Sequence, residues 1–149
     1  MVREANKNDL DEILQLYLYL HEKSIPEDSQ HLRSTWDNII NDANHHLIVC
    51  EIDGKIVASC VCVIIPNLTR NVRPYAFVEN VVTHREYRKK GYATDCLNFA
   101  KRIAEENHCY KVLTDYFHLL REWEKKYAPK QPDEEWNPLF AEALHIRGS

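Results

Sequence analysis

The sequence predicts an α/β fold, an α+β arrangement of helices on a mixed sheet, as a single domain over residues 1–149. Three observations carry that reading. Asp53-Gly54 separates two runs rich in β-branched residues, the pattern of a tight antiparallel hairpin. A strand-like run at 75–82 leads through a basic turn with one glycine into a helix-like run that ends near Asn107. Two amphipathic stretches precede the hairpin, so the order mixes helices with strands rather than segregating them.

Each element has its own signal. Residues 2–5 read as a short first strand. Asn8 or Asp9 then supplies the N-cap of a helix whose apolar residues, Leu10, Ile13, Leu14, Tyr17, Leu18 and Leu20, recur at helical spacing. A polar stretch with Pro26 follows. A second helix is expected from about 30 to 41, with Leu32, Trp36, Ile39 and Ile40 turned inward. The hairpin strands cover 47–52 and 55–64. After a loop with Pro66 and Pro74 comes the strand at 75–82. In the helix at 92–107, Ala93, Cys96, Leu97, Ala100, Ile103 and Ala104 form one stripe, which marks them as core. Residues 110–113 begin a fifth strand.

The character changes after residue 113. Thr114 or Asp115 caps a helix with Tyr116, Leu119, Leu120, Trp123 and Tyr127 along one side, and Pro129 and Pro132 end it. Asn137-Pro138 opens a last short helix. Residues 114–149 are therefore expected to be a helical tail with no strand.

Composition narrows the function. The chain of 149 residues is 44% hydrophobic and 28% charged, suited to one core. A net charge of −4 argues against general nucleic-acid binding. The run 88–94, Arg-Lys-Lys-Gly-Tyr-Ala-Thr, is a local basic cluster on a mildly acidic chain. Five cysteines without a Cys-x-x-Cys pair read as free thiols of a reducing cytoplasm. Eight scattered histidines show no metal-ligand spacing, so no metal is expected. Without a long apolar run or signal-peptide character, a cytoplasmic protein with no membrane partner is expected.

A strand, a basic turn and a helix start together suit a phosphate. The first amides of a helix lack intrahelical acceptors, the helix dipole favours an anion there, and glycine permits close approach. The same residues carry a resemblance. Arg88, Gly91 and Ala93 match Arg/Gln-x-x-Gly-x-Gly/Ala, the pyrophosphate loop of the GNAT superfamily of acyl-CoA N-acetyltransferases, and Glu79-Asn80-Val81-Val82-Thr83 resembles the preceding strand of that family. The resemblance covers about residues 1–113.

It implies acetyl-CoA as cosubstrate. It also implies that backbone groups of Val81, Val82 and Thr83 pair with the pantetheine arm, as an added strand would. The loop residues Arg88, Lys89, Lys90, Gly91, Tyr92, Ala93 and Thr94 would hold the pyrophosphate. Glu79 is the candidate general base. Plain alternation places Glu79, Val81 and Thr83 on one face, and a carboxylate among apolar positions gains a higher pKa, as a base working near neutrality needs. Its alternative role is an ion pair with Arg73 or Arg85. Tyr116 and Tyr127 are available as general acids, although both also fit the core stripe, the reading that their spacing favours.

The implied reaction is transfer of an acetyl group by direct attack of a small-molecule or peptide amine, with a homodimer among the expected partners. The alternative is a scaffold derived from this family, engineered or chimeric, that has lost catalysis and uses its tail for folding, dimerisation or partner binding.

Overall fold

The fold was read from a computed structural model, which describes residues 1–114. Five strands form one sheet in sequential order: β1 (Val2–Glu4), β2 (His45–Ile52), β3 (Lys55–Ile65), β4 (Tyr75–Thr83) and β5 (Val112–Leu113). The first four are antiparallel and β5 runs parallel to β4, giving the expected mixed sheet. Among the described residues, two 3₁₀ turns and four α-helical elements accompany it, the latter being α1 (Leu10–Tyr17), α2 (Gln30–Asn41), α3 (Thr69–Val72) and α4 (Tyr92–Glu106). Of these α-helical elements, only α3 was not anticipated. It is a single turn in which Arg70 and Asn71 have left-handed backbone angles, placed between the two prolines that marked a loop. The tail helices expected beyond residue 114 lie outside the described residues.

Local chemistry explains the boundaries. Asp53 (φ 51°) and Gly54 (φ 78°) both adopt the left-handed region, as a two-residue hairpin turn requires. Ser29 caps α2 by accepting from the Leu32 amide at 3.1 Å. Asp9 holds the N-cap position of α1, one of the two residues expected there, but makes no side-chain cap hydrogen bond to that helix. Asn6 begins a short 3₁₀ turn, Lys7–Asp9, that runs directly into α1. Its side chain accepts from the Asn8 amide, while the Asp9 carboxylate accepts from the Asn6 amide at 2.7 Å, a reciprocal capping box. Arg3 also donates to Asp9, at 2.7 and 3.0 Å, and to Glu51, fastening α1 to the first two strands.

Two clusters of buried side chains form, one on each face of the sheet. Under α4 lie Cys60, Cys62, Ala76, Val78, Cys96 and Ala100 with their neighbours. Under α1 and α2 lie Ile13, Leu16, Trp36, Leu47, Val61 and Val82. Burying each large aliphatic side chain contributes roughly 1.5–3 kcal/mol, so both faces drive assembly.

One irregularity shapes the functional end. Ser59 faces Val82 and Val61 faces Glu79, so Asn80 and Val81 together oppose Cys60 in a β-bulge. Asn80 has φ 53°, a conformation that asparagine tolerates better than most residues. This overturns the simple alternation. Val81 packs with the α4 face and Val82 with the α1/α2 face, while Glu79 and Asn80 both line the α1/α2 side. Glu79 and Val81 therefore do not share a face, and Val78 and Val82 do not either.

Candidate active site

The basic turn is built in three steps. His84 begins a 3₁₀ turn (Arg85–Tyr87), its ring Nδ1 accepting from the Glu86 amide at 3.2 Å. Arg88 then folds back, its Nε donating to the Thr83 carbonyl at 3.3 Å, which ties the turn to the end of β4. Lys89 (φ 64°) and Gly91 (φ 84°) both take the left-handed region before α4 begins at Tyr92. Successive amides in such a turn point inward and form a concave donor surface.

Gly91 occupies the N-cap with no side chain to cap the helix, so the cap cannot supply its own oxygen to the first amides. A Cβ placed on Gly91 would meet no heavy atom within 4 Å. The space at this position is open, and glycine is favoured there by its backbone angle. The charge follows the same pattern. Arg85, Arg88, Lys89 and Lys90 gather here, and Lys90 and Lys55 sit over the Tyr87 ring, 5.4 and 5.6 Å from its centre. Tyr87 and Tyr92 pack together, ring centres 6.4 Å apart, so these tyrosines support the turn. Open space, inward amides, a helix N-terminus and local positive charge suit a small polyanion such as a diphosphate.

Next to the turn runs the second half of β4. β5 pairs with β4 at Ala76 and Phe77. Among the described residues, the edge of β4 from Val78 onward has no strand beside it. Val81, Val82 and Thr83 lie on that stretch, so the strand edge and the basic turn form one continuous surface.

The other side of β4 opens into a cleft of about 330 Å³ between α1, α2 and the sheet. Its walls include Leu10, Leu14, Leu32 and Trp36, and Glu79, Asn80 and Tyr17 contribute the polar groups at β4. The bulge is what presents two consecutive polar side chains to this one space. Burial pushes the Tyr17 phenol up to about 12, against the opposing effect of a side-chain hydrogen bond with Asn80. Tyr17 therefore stays protonated near neutrality. Arg73, one of the suggested partners for Glu79, donates to the carbonyls of His108 and Cys109 at 3.0 and 3.1 Å.

The expected site residues thus come together in two groups: the turn with the β4 edge, and Glu79 in the cleft. Tyr116 and Tyr127 lie outside the described residues. Sequence reasoning missed Asn80 and Tyr17. Tyr17 was legible only as part of an apolar helical stripe, and nothing in β4 announces the bulge except an asparagine among strand formers.

The five thiols take no part in this chemistry. All are buried on the α4 side of the molecule, and burial drives Cys62 and Cys96 up to about 12. They are packing groups rather than nucleophiles.

Residues 8–120 match the acetyltransferase (GNAT) family. The chain belongs to that family. The match runs past residue 113, where the sequence pattern begins to depart. Solved structures agree. A protein from Agrobacterium tumefaciens str. C58 described as an acetyltransferase is 29% identical, with 88% of this chain and 94% of that one covered, at a TM-score of 0.73. An acetyltransferase from Trypanosoma brucei is 27% identical, with 88% and 93% covered, at 0.69. Glucosamine-6-phosphate N-acetyltransferase from Arabidopsis thaliana, at 20% identity with 88% and 92% covered, shares the fold with a TM-score of 0.70.

No helix among the described residues is long and apolar enough to cross a membrane.

Proposed function

We propose that this family member is an N-acetyltransferase that moves an acetyl group from acetyl-CoA to an amine. The observation that carries the reading is the continuity of two surfaces: an open, glycine-capped helix N-terminus ringed by Arg85, Arg88, Lys89 and Lys90, and the adjoining edge of β4. Backbone amides of Gly91, Tyr92, Ala93 and Thr94 hold the pyrophosphate, with Lys89 and Lys90 adding charge. Arg88 works mainly through its bond to Thr83, fixing the turn against the strand. Backbone groups of Val81, Val82 and Thr83 align the pantetheine arm. Acetyl-CoA supplies an activated thioester.

The chain supplies position and proton transfer. The amine enters from the α1/α2 side, where Glu79 removes a proton, directly or through one water, leaving a nitrogen lone pair. The nitrogen–carbon bond forms, the carbon–sulfur bond breaks, and the thiolate takes up a proton as it leaves. Orienting amine and thioester in adjoining spaces converts an encounter between two molecules into a local event.

The test combines binding with turnover. Acetyl-CoA should raise the melting temperature by mass action, and a panel of amines should produce thiol release above the rate without amine. Absence of both stabilisation and amine-dependent thiol release would refute the proposal. Stabilisation without turnover by any amine would leave a coenzyme-binding scaffold and refute the enzymatic part.

A further inference from the structure

His84 stands where β4, the end of α1 and the turn before α4 meet, and each of its polar atoms has a partner. Its amide donates to the Val57 carbonyl at 2.8 Å, and its carbonyl accepts from the Tyr87 amide at 2.9 Å. Its ring Nδ1 accepts from the Glu86 amide at 3.2 Å, which caps the 3₁₀ turn. Its ring Nε2 lies 3.2 Å from the hydroxyl of Tyr19, just past α1. The ring is packed as well, its centre 4.7 Å from the Tyr19 ring and 5.4 Å from the Tyr87 ring. Tyr87 in turn meets Tyr92, the first residue of α4. Contacts therefore run unbroken from the end of α1 through His84 to the helix start.

These partners fix the proton on the ring. A backbone N–H can only donate, so Nδ1 keeps its lone pair while the cap is intact. The neutral ring then carries its hydrogen on Nε2, which donates to the Tyr19 hydroxyl. A second proton has only Nδ1 to occupy. There it would face the Glu86 amide, one donor against another, so protonation and the cap exclude each other.

From this geometry we infer that neutral His84 is a positioning residue that holds the turn in the form receiving the coenzyme diphosphate, and that its protonation releases the cap and weakens coenzyme binding. The inference rests on the coenzyme part of the acetyltransferase reading and adds a proton-controlled determinant of affinity. Among the described residues, the titratable groups around the ring are Glu12 and Tyr19 on the α1 side, Lys55 on β3, and Glu86 and Tyr87 on the 3₁₀ turn. Lys55 and Lys90 lie over the Tyr87 ring, so an added positive charge meets two cations as well as two carboxylates. An imidazolium also attracts a diphosphate, which opposes the loss of the cap. That attraction is screened by solvent around a half-buried ring, whereas the cap acts on the backbone leading to the donor amides.

The free protein tests the geometry. Ring ¹⁵N signals of His84 should show the Nε2–H tautomer at about pH 8, and on acidification the Glu86 amide should shift with the same midpoint as the ring. An Nδ1–H tautomer, or a Glu86 amide that ignores the ring, would overturn the inference. Calorimetric titration with acetyl-CoA tests the consequence. Asparagine keeps a capping oxygen and does not titrate, so His84→Asn should bind within about threefold of wild type at about pH 8. Between about pH 8 and about pH 5.5, wild type should lose about tenfold more affinity than His84→Asn. Ionisation of the coenzyme phosphates is common to both proteins, so the difference isolates His84. His84→Ala, which has no capping atom, should bind about tenfold more weakly than wild type at about pH 8. A cooperative melting transition is the folding control for both variants.

The same pH dependence in wild type and His84→Asn would overturn the inference while leaving the acetyltransferase reading intact. So would wild-type affinity that rises on acidification relative to that variant. Absence of acetyl-CoA binding by wild type would defeat the coenzyme reading and, with it, the binding role given to His84. The ring and Glu86 signals of the free protein separate that failure from a failure of the His84 geometry.

Discussion

The two faces of the sheet solve different problems. Beneath α4 the contacts are made largely by small side chains: Cys60, Cys62, Ala76, Cys96, Ala100 and Ala104, each 2% exposed or less. Small residues let a helix lie close to a sheet and leave little room for rearrangement. The consequence appears at the start of α4, where the basic turn is held in a fixed relation to β4. Beneath α1 and α2 the side chains are larger, Trp36, Leu47 and Ile13 among them, and they leave a cleft. One face is filled, and the other leaves a cleft. The bulge at Asn80 joins the two, because it sends Val81 to the filled face and Glu79 to the open one.

Substitutions can break this division of labour. The largest effect is expected at Gly91, where the filled face delivers the helix start. Gly91→Val places a β-branched residue at φ 84° and fills the open space before the amides. Stabilisation by acetyl-CoA should disappear, and calorimetry should still show a cooperative melting transition. A variant that melted cooperatively and bound acetyl-CoA with wild-type affinity would disprove the role of the turn.

On the open face, Glu79→Gln removes the proposed base while keeping the shape. Turnover should fall by about 10²-fold or more, with acetyl-CoA affinity within a few fold of wild type. The acidic limb of the pH–rate profile should be lost as well. An unchanged profile would remove Glu79 from the reaction.

A third substitution asks whether the filled face is truly full. Ala100 is 1% exposed in the middle of α4. Ala100→Leu should cost roughly 1–3 kcal/mol in urea denaturation, the usual penalty for overpacking. A neutral or stabilising result would mean that space remains there, and that the contrast between faces is overstated.

The smallest expected effect lies at the root of α1. The hydrogen bond from Arg3 holds the Asp9 carboxyl below its ordinary value of 3.8, against the opposing effect of burial, with the Asn6 amide helping. A depressed folded-state pKa means the unfolded chain binds protons first as pH falls. The contribution is therefore complete above pH 3.8 and is lost progressively below it. Asp9→Asn should lower stability by about 1–2 kcal/mol at pH 7. It should also make stability less sensitive to acid between pH 4 and 2 in denaturant titrations, a window set by the carboxylate range. Parallel stability–pH curves for the two proteins would contradict that assignment.

Much of the fold was readable because local rules and packing agreed. Asp53-Gly54 specified a turn with two left-handed residues, and the stripe from Cys96 to Ala104 specified the buried side of α4. The order of helices and strands up to residue 113 followed. The turn before α4 was also legible, since it depends on backbone freedom at one glycine. The face of Glu79 was not. Strict alternation is a property of regular strands, and the bulge depends on Asn80 accepting a left-handed angle while its side chain meets Tyr17 across the cleft. Neither condition is visible in a window of strand residues. The position of the α1 cap was legible at Asp9, but its chemistry was not: the Asp9 carboxylate accepts from the Asn6 amide and from Arg3 on the neighbouring strand instead of capping α1.

The central claim is that the start of α4 holds the diphosphate of acetyl-CoA. Titrating acetyl-CoA into ¹⁵N-labelled protein and following the backbone amides of Gly91, Tyr92, Ala93 and Thr94 tests it most directly. The account predicts that these four signals move together with a common affinity, accompanied by Val81 to Thr83 on the strand edge. Saturable binding that leaves all four amides unmoved would contradict it.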